Sequence, residues 1–161
     1  MMKVRVRGVN TTVRNLANTS EVVHDATSKG IYKAAEYLMQ KVIEKFGTYQ
    51  TTGGDPGGRG GWKKLTYETR KRKARKYGFS DKPLIATGEM MNSFSVKRGG
   101  KGTLAASVVS SSDILVYHVY GAPGAGLPMR DPIRVTAVEE MQACTQIIED
   151  YVGDALRRFD L

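Results

Sequence analysis

Residues 30–47 read GIYKAAEYLMQKVIEKFG. Ile31, Ala35, Leu38, Val42 and Phe46 recur at intervals of four and three, which lines them along one face of a helix. Gly47 stands where such a helix stops. Upstream the helical reading extends to about Asn18, which with Glu21 three residues later has the form of a capping box. Gly30 inside this span reads as a weak point or a join between two helices. A second long helix is expected at the other end of the chain. Asp131-Pro132 is a good start, with Asp as N-cap and Pro at the first helical position. Val138, Met141, Ile148, Val152, Leu156 and Phe159 then lie close to one face, interrupted by Thr145.

Between and before the helices the period falls to two. Residues 2–9 place Val4 and Val6 on one face and Lys3, Arg5 and Arg7 on the other, a half-buried strand ending at Gly8. Residues 93–97 and 104–110 read as two strands joined by a hairpin-like turn at 99–102, preceded by a short helical segment at 88–91. Residues 114–120 are expected as a further strand, with His118 on the face of Val116 and Tyr120. Locally joined short strands give an antiparallel sheet. The expected fold is therefore α+β: a small antiparallel sheet packed with two long helices, one domain over residues 1–161. Two glycine-rich stretches interrupt it. Residues 47–62 hold six glycines between Gly53 and Gly61, with no apolar anchor before Trp62, and are expected to be a flexible loop. Residues 121–128 form a shorter Gly/Pro loop.

The chain has 161 residues, enough to bury about 70% of its unfolded surface without staples. Lys and Arg number 25 against 16 Asp and Glu, a net charge of +9, which favours contact with acidic surfaces. One cysteine, Cys144, excludes an internal disulfide and a Cys-rich zinc site. No stretch has the apolar length of a signal peptide or a membrane helix, so the expectation is a soluble chain made in a reducing cytoplasm.

Catalytic chemistry is poorly supplied. His24 and His118 lack a metal-binding context, and His118 reads as structural. Cys144 beside Ala143 reads as a buried thiol. Glu139-Glu140 and Glu149-Asp150 are adjacent pairs on a helix, whose side chains do not face each other. The expectation is no enzyme, no cofactor and no metal. The strongest electrostatic feature is Arg70, Lys71, Arg72, Lys73, Arg75 and Lys76, crowded on one short helix started by Thr66 and opposed only by Glu68. Such a cluster reads either as a phosphate-facing surface or as a solvated helix face.

Trp62-x-x-Leu65, Thr69 and the basic helix are followed by Pro83-Leu84-Ile85-x-Thr87-Gly88-x-Met90-x-x-Ser93. Further on come Val116-Tyr117-His118-Val119-Tyr120-Gly121 and Leu127-Pro128-Met129-Arg130. The order of these signals resembles the phage virion-morphogenesis or tail-completion proteins. The similarity runs from about residue 20 to the C-terminus. Met90 replaces the family's usual Leu, and one extra residue separates Pro128 from Pro132. The resemblance implies a non-enzymatic virion component of a long-tailed bacteriophage that completes the head-proximal end of the tail and enables head–tail joining. It implies a ring of its own copies, expected as a hexamer, in contact with neck, connector, tail-terminator or tail-tube proteins, and assembled in the host cytoplasm. Trp62, Pro128, Arg130, Asp131 and Pro132 are then the expected subunit-interface residues, with Arg130 pairing with a neighbour's carboxylate. Arg70 to Lys76 would face packaged DNA. The alternative is a small basic nucleic-acid-binding module.

Overall fold

The computed structural model describes residues 9–100 and 102–158, with the side chains of residues 9–16 left aside. Helix α1, Val9–Glu44, is the spine. Helix α2, Tyr67–Tyr77, follows the glycine-rich stretch, and the single turn α3, Glu89–Asn92, leads into strands β1, Phe94–Arg98, and β2, Ala106–Ser110. Then come α4, Asp113–Tyr120, a short 3₁₀ turn at Pro123–Ala125, α5, Pro132–Glu139, and α6, Met141–Arg157. The fold is α+β with a long helix and, among the described residues, one two-stranded antiparallel sheet.

The apolar stripe of α1 does what its spacing requires. Val42 and Phe46 lie in the main core with Trp62, Leu84, Phe94 and Leu115. Phe46 and Phe94 meet edge to face, centroids 5.8 Å apart, the arrangement that aromatic quadrupoles favour. The hairpin sits on α1 in the register Phe94 opposite Ser110 and Val96 opposite Val108. Arg98 stacks its guanidinium 4.3 Å from the Tyr32 ring on α1. Gly47 closes the spine with φ +84, its N–H donating to the Pro83 carbonyl at 2.9 Å. Next to that bond Leu84 takes φ +60, a conformation costing a non-glycine residue about 1–2 kcal/mol. Leu84 and Pro83 are both buried, so packing offsets the strain.

Helix α6 returns antiparallel along α1. Gly30 does not join two helices; it lies in mid-helix where the two backbones touch. A Cβ there would stand 3.0 Å from Ile148 Cα. Asn18 likewise lies inside α1, which begins at Val9, so no capping box starts there. The strand expected over residues 2–9 falls outside the described residues except for Val9, which is helical.

Two further expectations are corrected. Residues 114–120 are helical. Leu115, His118 and Val119, spaced three and one, turn inward, while Ile114, Val116, Tyr117 and Tyr120 face solvent. The β-branched content of the run suggested a strand, but only the helical period places Leu115 in the core. The C-terminal helix is also two helices, with Glu140 at φ −103, ψ 6 between them. The bend turns Val138 and Met141 out to 71% and 67% exposure, away from the apolar face expected for them.

The glycine-rich stretch holds no helix or strand, yet it is a closed turn. Gly53 N–H donates to Gly58 O, Gly54 N–H to Gly60 O, Gly58 N–H to Asp55 O and Trp62 N–H to Gln50 O, all between 2.9 and 3.0 Å. These bonds fold the stretch expected to be a flexible loop back onto itself. The glycines permit this: at Gly53, φ +77, a Cβ would lie 2.4 Å from Val135 Cγ2 and 2.9 Å from the Asp131 carbonyl. Gly53→Ala should lower stability by about 2–4 kcal/mol, combining left-handed strain with overpacking. Urea unfolding would read this, and a variant within 0.5 kcal/mol of wild type (about the noise of a surface change) would contradict the packing described.

Candidate assembly surface and basic groove

The junction of the glycine-rich turn with the start of α5 gathers most of the residues expected at subunit contacts. The Asp131 amide donates to Gly53 O at 3.1 Å, and its Oδ1 caps α5 by accepting from Ile133 N at 2.9 Å and Arg134 N at 3.0 Å. Pro132 occupies the first turn, as expected, and Thr136, fully buried, donates to the Pro132 carbonyl at 2.7 Å. Arg134 donates to Pro56 O at 2.8 Å, which ties the tip of the turn to α5. Trp62 is 4% exposed, Arg130 3% and Asp131 2%. These three side chains are therefore largely covered within the chain, and of the expected set Pro128 and Arg130 line an open hollow.

Arg130 shows why. Its N–H donates to the His118 carbonyl at 2.7 Å, drawing residue 130 under α4. Its Nη2 donates to Lys63 O at 2.8 Å. The guanidinium thus gives one of its donors to a backbone carbonyl of its own chain. Its Nε is buried without a partner, as are His118 Nδ1 and Trp62 Nε1 among the described residues.

The basic helix divides in the same way. Thr66 caps α2, accepting from Thr69 N, and Gly78 ends it at φ +76. Arg70, Lys71, Arg72, Arg75 and Lys76 are exposed, and none of them is in an ion pair among the described residues. Lys73 is the exception to the phosphate-facing set. It is 7% exposed, donates to the Lys82 carbonyl and stands 5.4 Å over the Phe79 ring. Burial, then the nearby Arg130 charge, push its pKa down.

Between α2 and α4 lie two adjoining hollows of about 670 and 490 Å³ that share Leu65, Thr69, Arg72, Leu127 and Arg130. Their walls carry six cations, Lys63, Lys64, Arg72, Lys73, Lys76 and Arg130, against one carboxylate, Glu89. The walls are otherwise largely apolar, and the solvent-facing Ile114 and Tyr120 of α4 stand at the rim, 59% and 73% exposed. The arrangement can bind acidic groups carried beside apolar ones. The α4 contribution escaped the sequence reading because a strand assignment turns Tyr120 and His118 to the same side; the i, i+3, i+4 spacing of Leu115, His118 and Val119 was the available signal.

His118 senses this field. Burial, then the Arg130 and Lys73 charges, lower its pKa from 6.5 to about 4. The unfolded chain takes up this proton near 6.5 and the folded chain only near 4, so stability falls as pH drops through that window. His118→Gln should flatten the urea-midpoint profile between those two pH values. An unchanged slope would show that burial and the two cations do not hold the imidazole neutral.

No cluster of His, Cys, Asp and Glu suited to a metal ion occurs among the described residues, and none of their helices is long and apolar enough to cross a membrane. No family model, curated protein or solved structure matches this chain.

Proposed function

We propose that this chain is a structural virion subunit of a long-tailed bacteriophage. It forms a ring around the tail axis, completes the head-proximal end of the tail and allows the tail to join the head. It assembles in the host cytoplasm and works without catalysing a reaction. The observation that supports this is a pair of exposed apolar surfaces on one small domain. One is the outer face of α4 with Ile114, Val116, Tyr117 and Tyr120; the other is the α5–α6 corner with Val138 and Met141. Exposed apolar patches of this kind mark surfaces that are covered in an assembly. Two unlike patches are what a head-to-tail ring contact needs, since each subunit presents one to either neighbour. The resemblance of the ordered motifs to those of tail-completion proteins supports the particular setting.

A second reading, a small nucleic-acid-binding module, is favoured by the unpaired exposed cations of α2. It predicts duplex binding whose affinity falls steeply with salt, as released counterions require.

Particles from a virus lacking the gene decide between them. Full heads separate from unfinished tails are expected in electron micrographs, and normal infectious virions would overturn the assembly role. For the second reading, a monomer that shifts duplex DNA at moderate salt is the expected mark.

A further inference from the structure

The basic groove and the α5–α6 corner are complementary, and both belong to this chain. The corner reads Val138-Glu139-Glu140-Met141, two carboxylates flanked by two exposed apolar side chains. It is packed against α1. Tyr37 donates to Glu140 Oε2 at 2.6 Å, and Lys45 pairs with Glu139, so both carboxylates are fixed against α1 while keeping spare lone pairs. The groove offers the converse: six cations against one carboxylate, an apolar floor and the α4 rim.

We infer that the groove between α2 and α4 receives the α5–α6 corner of a second copy of this chain. The inference deepens the assembly reading and rests on it, since it names the contact through which the ring closes. The same copy cannot fill its own groove. Arg130 lies just before the first turn of α5 and Val138 in its last, so the rigid length of the helix, about 12 Å, keeps the two apart. The contact is heterologous, with groove and corner on different copies, and repetition generates a closed ring or a filament. Met141 and Val138 cover Leu65, Leu127 and Tyr120, while Glu139 and Glu140 approach Arg72 and Lys76. Duplex DNA fits the groove less well. Arg130 and Lys73 are recessed, and apolar walls give nothing to a phosphate backbone.

The test uses the purified full-length chain and two double variants, both made at exposed positions. Val138→Arg with Met141→Arg spoils the corner and leaves the groove intact. Arg72→Glu with Tyr120→Glu spoils the groove and leaves the corner intact. Circular dichroism and the thermal midpoint confirm that each is folded. Sedimentation of wild type should show concentration-dependent oligomers, and each variant alone should associate at least about tenfold more weakly. Mixed together, the two should form a one-to-one dimer and nothing larger, because only one good corner and one good groove remain between them. A wild type that stays monomeric, variants that associate like wild type, or a mixture that does not pair would each overturn the inference. So would a groove variant that loses duplex DNA binding while self-association is unchanged. Separated heads and tails in the gene-deleted virus, with both variants assembling normally, would sink this contact and leave the assembly role standing. Variants behaving as expected, with normal virions in the deletion, would do the reverse.

Discussion

The Gly53 backbone is where three parts of the chain are held together. Its carbonyl receives the Asp131 amide, its N–H closes the turn onto Gly58, and the space beside its Cα is filled by Val135 and the edge of Trp62. Any side chain at that point would push α5 away from the turn. Losing α5's position would free Arg130 from the Lys63 carbonyl and open the floor of the groove. A residue without a side chain thus fixes the placement of the most strongly charged part of the surface. The same logic explains Asp131: a buried carboxylate is tolerable because two helix-start amides use its charge.

The electrostatics of the interior follow from what is missing around them. Lys73, Arg130 and His118 come together with no carboxylate among the side chains that line their shared hollow except Glu89. Lys73 is tolerated through the Lys82 carbonyl and the Phe79 ring, Arg130 through the Lys63 carbonyl, and His118 by remaining neutral. Carbonyl and ring partners do not cancel charge, and Arg130 Nε has no partner, so the cluster keeps a positive field that Asp81 offsets only in part at Lys73. Tyr49 shows the opposite edge of this region: burial and its hydrogen bond to Asp81 raise its pKa.

Much of this fold could be read from periodicity, and the failures have definite causes. The stripe from Ile31 to Phe46, the hairpin around residues 99–102 and the Asp131 cap are local signals, and each has its expected element. Gly30 was ambiguous because its role depends on Ile148, more than a hundred residues away. The α4 run was misassigned because β-branched residues and one aromatic every third position suit either period, and only tertiary packing decides. The glycine-rich turn looked unstructured because its order comes from contacts with α5. Of the candidate site, the clustering of cations on α2 was legible, but burial of Lys73 and Arg130 was not. Both depend on backbone carbonyls, which carry no mark in a sequence. The groove's apolar rim emerged only once residues 114–120 were known to be helical.

The touching backbones of α1 and α6 at Gly30 have a mechanical consequence. With Ile148 Cα that close, α6 can neither roll about its axis nor sink further, and the Cys144 thiol lies against the Ala34 carbonyl at 3.7 Å a turn away. The pair therefore behaves as one beam. The Glu140 bend, bonded to Tyr37, and the hairpin are thereby carried on one and the same helix.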